Sequence, residues 1–143
     1  MSKWALVVVA CCMAAGTAAA GPKISTSDVN SSRELRTGAV EVIAHDLSTK
    51  LASAACDRCH VDASVTRLVA ENTEAGTVVT ADLSFTVTDD QGLVISLVAS
   101  HSHAVARKAK LVTLRNEALH GAVASASAKV TRALAQPGQV ARR

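Results

Sequence analysis

Aromatic side chains are almost missing from this sequence: it has no tyrosine, one tryptophan at Trp4 and one phenylalanine at Phe85. Any core must therefore be aliphatic and packed with alanine. Proline and methionine are scarce too, with two of each, and both methionines, Met1 and Met13, lie near the amino end. Charge is nearly balanced, 15 basic against 12 acidic residues for a net +3, a field too weak to argue for a nucleic-acid partner. There is no glycine-rich phosphate loop, no nucleophile elbow with Ser/His/Asp spacing and no recognisable frame of paired carboxylates. The sequence therefore predicts no enzyme.

What is present fits one exported domain. The 143 residues, 49% hydrophobic and 19% charged, suit a single globular unit rather than a disordered chain. The start, "MSKWALVVVACCMAAGTAAAG", has a basic Lys3, an apolar run from Trp4 to about Ala15 and small residues ending at Ala20. It reads as a signal peptide, residues 1–20, cleaved before Gly21. The run is short of the roughly 20 apolar residues of a membrane span, so no transmembrane helix is expected in the mature chain. A second processing route is open, because Val8-Val9-Ala10-Cys11 resembles a lipobox and would make Cys11 the lipidated residue of an anchored lipoprotein. Cleavage at Ala20 leaves Cys56 and Cys59 as the only cysteines. In an oxidising compartment such a pair suggests a disulfide first. The expected location is periplasmic or secreted.

Residues 21–30 are polar and patternless, the expected flexible arm. Ser31-Ser32-Arg33-Glu34 offers a capping box, and Leu35, Ala39, Ile43, Leu47 and Leu51 then put an apolar stripe on a helix from about Ser32 to Ala55. From Val61 the period becomes two. Val61, Ala63, Val65 and Val69 suggest a first strand, "ENTEAG" a turn, and Val79, Ala81, Leu83, Phe85 and Val87 a second strand with one wet face. A three-residue loop of Asp90, Gln91 and Gly92, with the glycine left-handed, leads to a third strand from Leu93 to Val105 and pairs Val87 with Ile95, Phe85 with Leu97 and Leu83 with Ala99. Leu111, Leu114, Leu119, Val123, Val130 and Leu134 stripe a last helix, about Leu114 to Gln136, stopped by Pro137-Gly138. Gly121 inside that helix implies close packing. The predicted fold is α+β: a two-layer sandwich of helix, three-stranded antiparallel meander and helix, both helices on one sheet face. The domain would span residues 31–136, with residues 137–143 as a tail.

The run "ASVTRLVAENTEAGTVVTADLSFTVTDDQGLVISLVAS" between two amphipathic helices resembles small bacterial envelope domains of the curli-secretion and penicillin-binding-protein-activator type. That resemblance covers about residues 32 to 136. It implies an accessory, non-enzymatic role in assembling envelope machinery with an unnamed envelope protein partner, and it carries no functional residue onto this chain.

One motif carries possible chemistry. Cys56, Cys59 and His60 in "CDRCH" are similar to the CxxCH haem attachment of c-type cytochromes, in which two thiols bind the vinyl groups and the histidine ligates iron. The alternative function is thus a monohaem electron-transfer protein with haem c as cofactor. No mature methionine could be a sixth ligand, which would fall to His45, His101, His103 or His120. A close-packed two-layer sandwich also leaves no cleft for a porphyrin. The favoured expectation is therefore a structural disulfide and no cofactor. His101-Ser102-His103 places two imidazoles on one strand face, a spacing that can bind zinc or copper, and the expected pairing turns them toward Ala81 and Val79 on the helix-covered side.

Overall fold

The computed structural model describes residues 21–54, 56 and 58–135. The expected leader with Cys11, residue Gln136 and the tail 137–143 lie outside the described residues. In chain order the elements are β1 (Lys23–Asp28), α1 (Arg33–Arg36), α2 (Ala39–Lys50), β2 (His60–Thr73), β3 (Gly76–Thr88), β4 (Val94–Ala106) and α3 (Leu111–Ala135). The four strands form one sheet in the order β1-β2-β3-β4, with β1 parallel to β2 and the remaining pairs antiparallel. The fold is α+β as expected, but the sheet is mixed and four-stranded rather than a three-stranded meander.

The added strand corrects the expected flexible arm. "KISTSD" carries one aliphatic residue, Ile24, which packs against the core, so the segment shows no two-residue hydrophobic period. Its order comes from pairing: Lys23 through Asp28 lie beside His60 through Val65, and the Lys23 amide donates to the Cys59 carbonyl at 2.9 Å. Parallel neighbours need a crossover, and α1 with α2 supplies it.

The predicted first helix is broken. Leu35, Ala39, Ile43, Leu47 and Leu51 are all buried, as the stripe requires, but Thr37 is extended and Gly38 left-handed at φ 87°, which splits the helix into α1 and α2. The capping box does not form. Ser31 donates its hydroxyl to Asp28 Oδ1 at 2.6 Å, and Ser32, the residue at the helix start, makes no capping bond through its side chain.

Two bulges account for the register errors. The β3–β4 turn is the expected one: the Asp89 amide donates to the Leu93 carbonyl, the Gly92 amide donates to the Asp89 carbonyl, and Gly92 has φ 82°. One residue on, the ladder shifts, with Thr88 beside Val94 but Val87 beside Ser96, leaving Ile95 as an extra residue. Every later partner moves by one. Phe85 faces Val98 rather than Leu97, and Leu83 faces Ser100 rather than Ala99. Ile95 and Val98 are buried, whereas Leu97 is 73% exposed. A second bulge at Thr66 shifts β2 in the same manner, so Leu68 is buried in place of Val69. A one-residue slip inverts every side chain that follows.

The core fills the space between the sheet and the two longer helices. Val61, Ala63, Val65, Leu68, Val79, Ala81, Leu83, Phe85 and Val87 meet Ile43 and Leu47 of α2 and Leu119, Val123, Val130 and Leu134 of α3. Leu111, expected on the α3 stripe, is 38% exposed at the start of the helix. The small residues of α3 let it approach β4 closely. A Cβ on Gly121 would stand 2.3 Å from Ser102 Oγ, the tight contact that a helix-interior glycine implies.

Candidate functional site

Among the described residues the two longer helices pack on the inner face of the sheet, and the outer face carries polar residues such as Asp62, Ser64, Asp82, Ser84 and Thr86 along its middle. On it the parallel pairing brings Ser25 of β1 beside His60 and Asp62 of β2. Ser25 Oγ lies 2.8 Å from His60 Nε2 and donates to Asp62 Oδ1 at 2.9 Å. The order of these groups decides what they can do. A Ser-His-Asp relay needs the imidazole between the hydroxyl and the carboxylate, so that it can take the hydroxyl proton. Here the hydroxyl stands in the middle and gives its single proton to Asp62, which leaves Nε2 as the donor toward Oγ. His60 is thus not placed as a base for Ser25. The cluster ties β1 to β2, and Ser27 with Ser64 extends the tie at 2.8 Å. Sequence reasoning missed this grouping because Ser25 joins it only once β1 exists.

Cys56 and Cys59 are joined in a disulfide with their Cα atoms 5.4 Å apart, between the end of α2 and the first residue of β2. Cys59 is fully buried. While the two sulfurs are bonded to each other, neither has a thiol to add to a vinyl group, and His60 spends one ring nitrogen on Ser25. The third member of the CxxCH run therefore belongs to the hydrogen-bonded sheet face.

His101 and His103 lie on the outer face, not the helix-covered one, because the Ile95 bulge turns the later part of β4 over. His101 pairs with Asp82 and His103 with Thr80. The rings are 6.2 Å apart, and His101 Nδ1 is hydrogen-bonded to Asp82 Oδ1. Among the described residues, no group of three His, Cys, Asp or Glu side chains is gathered to hold a metal ion. Thr66, Asp82, Ser84, Ala99 and His101 border an open depression of ≈ 370 Å³. His120 contacts Asp46 across α3 and α2.

The buried polar centre lies behind the sheet. Arg115 of α3 is only 6% exposed and has no acidic partner among the described residues. Its guanidinium donates to the Thr37 carbonyl and twice to Asn116 Oδ1, at 3.0 and 2.8 Å. It closes the break between α1 and α2. No helix among the described residues is long and apolar enough to cross a membrane.

No family model matches the chain, and no curated protein matches it either. Solved bacterial structures do share the fold. A candidate lipoprotein from Caulobacter crescentus is 14% identical, with a TM-score of 0.50 over 90% of this chain and 96% of its own. A Xanthomonas campestris protein of the DUF330 family is 9% identical, with a TM-score of 0.53 over 85% and 88% of the two chains. PelC from Paraburkholderia phytofirmans, solved as a dodecamer, is 13% identical, with a TM-score of 0.50 over 72% and 87%. At these identities the likeness is one of fold.

Proposed function

We propose that the protein is an exported, non-enzymatic domain of the bacterial cell envelope that works through binding or assembly. The observation that carries the non-enzymatic part is the order of groups on the open face. Ser25 Oγ donates to Asp62 and not to His60, so the relay of hydroxyl, imidazole and carboxylate is not assembled, and His101 is tied to Asp82. The envelope part is supported by the signal-like start of the sequence and by a fold shared with a candidate bacterial lipoprotein. In this reading the Cys56–Cys59 disulfide is a structural clasp suited to an oxidising compartment, and the mature protein needs neither haem nor metal. Fractionating the source cells and sequencing the amino end of the purified protein tests the proposal. The expected result is a chain beginning at Gly21, or lipidated at Cys11, in the envelope fraction. An intact Met1 in the soluble cytoplasm overturns it.

A further inference from the structure

We infer that the free edge of β4 is a self-association surface, pairing antiparallel with β4 of a second copy to join two sheets into one of eight strands. This goes beyond the envelope reading and holds in any compartment. Among the described residues β4 has a single sheet neighbour, β3, so its other side offers a row of backbone donors and acceptors without a strand partner there. Edge strands are normally protected by charged residues, proline or brevity. The opposite edge follows that rule, since β1 is six residues long and carries Lys23 and Asp28. β4 does not: "VISLVASHSHAVA" runs for 13 residues with no Lys, Arg, Asp, Glu or Pro.

Two further observations select a second copy as occupant and set its register. The large apolar residues exposed within the later part of β4 are Leu97, 73% exposed, and Val105, 45% exposed. A two-fold axis at His101 places Leu97 of each copy opposite Val105 of the other on the outer face, with His101 opposite its equivalent. On the inner face the same register sets Ser100 opposite Ser102 of the second copy. Ser100 Oγ is buried and has no hydrogen-bond partner among the described residues. Unsatisfied buried groups of this kind are rare in native folds, and facing serines on paired strands can bond each other. A strand without formal charge also puts no like charges opposite one another when paired with itself, whereas an acidic or basic partner would find no counter-charge along it.

The test uses the chain from Gly21 to Arg143 with its disulfide intact. Sedimentation equilibrium should show a concentration-dependent dimer. Leu97→Lys should weaken it about 10-fold, because the apolar pairing of Leu97 with Val105 is lost at both ends of the two-fold, while circular dichroism of the monomer stays unchanged. Register is read by oxidative cross-linking. His101→Cys should give a covalent dimer, since directly opposed residues on antiparallel strands have Cα atoms about 4.5 to 5.5 Å apart, within disulfide range. Leu97→Cys alone should not, because the two copies of residue 97 would stand eight residues apart along the strand, roughly 26 Å. A chain that remains monomeric, an assembly indifferent to Leu97→Lys, or cross-linking through residue 97 instead of 101 overturns the inference.

Discussion

Arg115 Nη2 lies 3.4 Å from the point where a Cβ on Gly38 would stand. The guanidinium covers this glycine at the break between α1 and α2 and holds the Thr37 carbonyl just before it. A buried cation without an acid is tolerable only if it is hydrogen-bonded, and here each of the three guanidinium nitrogens has a backbone or amide acceptor. Gly38→Ala combines a left-handed φ with a confined site, so a loss of about 1–2 kcal/mol is expected. That corresponds to a melting temperature lower by roughly 4 °C or more in a domain of this size. Arg115→Met keeps much of the packing but strands the Thr37 carbonyl and the Asn116 side chain, at a cost of about 2 kcal/mol. Thermal unfolding of both variants checks the pair. An unchanged midpoint in Arg115→Met would show that the guanidinium is incidental to the break.

Gly121 tests the closeness of α3 and β4. Helix propensity alone favours Gly121→Ala by up to about 1 kcal/mol. Against this, the new methyl meets Ser102 Oγ at 2.3 Å and Ser102 Cβ at 3.2 Å, and overpacking of that kind costs about 1–3 kcal/mol. The variant should be net destabilised, and adding Ser102→Ala should recover most of the loss. A double-mutant cycle from denaturant midpoints measures the coupling. Gly121→Ala that is more stable than the parent, with Ser102 in place, would mean the two elements stand further apart than described.

The Cys56–Cys59 disulfide closes a very short loop, so the chain-entropy argument assigns it about 1.5–2 kcal/mol. Its removal should be felt locally, because Cys59 is fully buried and its carbonyl receives the Lys23 amide of β1. Reduction with dithiothreitol should lower the melting temperature by roughly 5–8 °C and should increase amide exchange first in β1 and at the start of β2. Protein made in a host with haem-attachment machinery should show no covalent Soret band. An acid-acetone-resistant band that disappears in Cys56→Ala would replace the structural reading of this pair with the cytochrome one.

The parts of the fold written in hydrophobic period were legible, and the parts written in backbone pairing were not. The stripe from Leu35 to Leu51, the alternation from Val79 to Val87 and the left-handed Gly92 each follow from spacing or turn chemistry, and each is in place. β1 was invisible because Ile24 is its one apolar residue in the core, and its partner is a strand 37 residues away, reached only after the crossover helices. The bulges at Thr66 and Ile95 leave the composition of their strands unchanged. They reverse the facing of everything beyond them, which is why Leu97, His101 and His103 stand on the side opposite to that expected. The Ser25, His60 and Asp62 grouping was lost with β1, since His60 and Asp62 alone are two ordinary polar positions on one strand.

That grouping supplies the sharpest check on the non-enzymatic reading. If His60 accepted the Ser25 proton, the hydroxyl would be a nucleophile and should react with a fluorophosphonate probe. In the observed order the Ser25 hydroxyl donates to Asp62 and accepts from the imidazole Nε2–H, so His60 holds one of the oxygen's two lone pairs and does not take its proton. The expected result is no labelling by mass spectrometry after prolonged exposure, at a level equal to Ser25→Ala. The same substitution should lower stability by about 1 kcal/mol, because Ser25 bridges two strands with both partners half-buried. Asp62→Asn sharpens the distinction. A structural tie survives with an amide oxygen as acceptor and costs little, whereas a catalytic arrangement would lose its reactivity. Covalent modification at Ser25 that is abolished by His60→Ala would establish an activated serine on this face and overturn the non-enzymatic proposal.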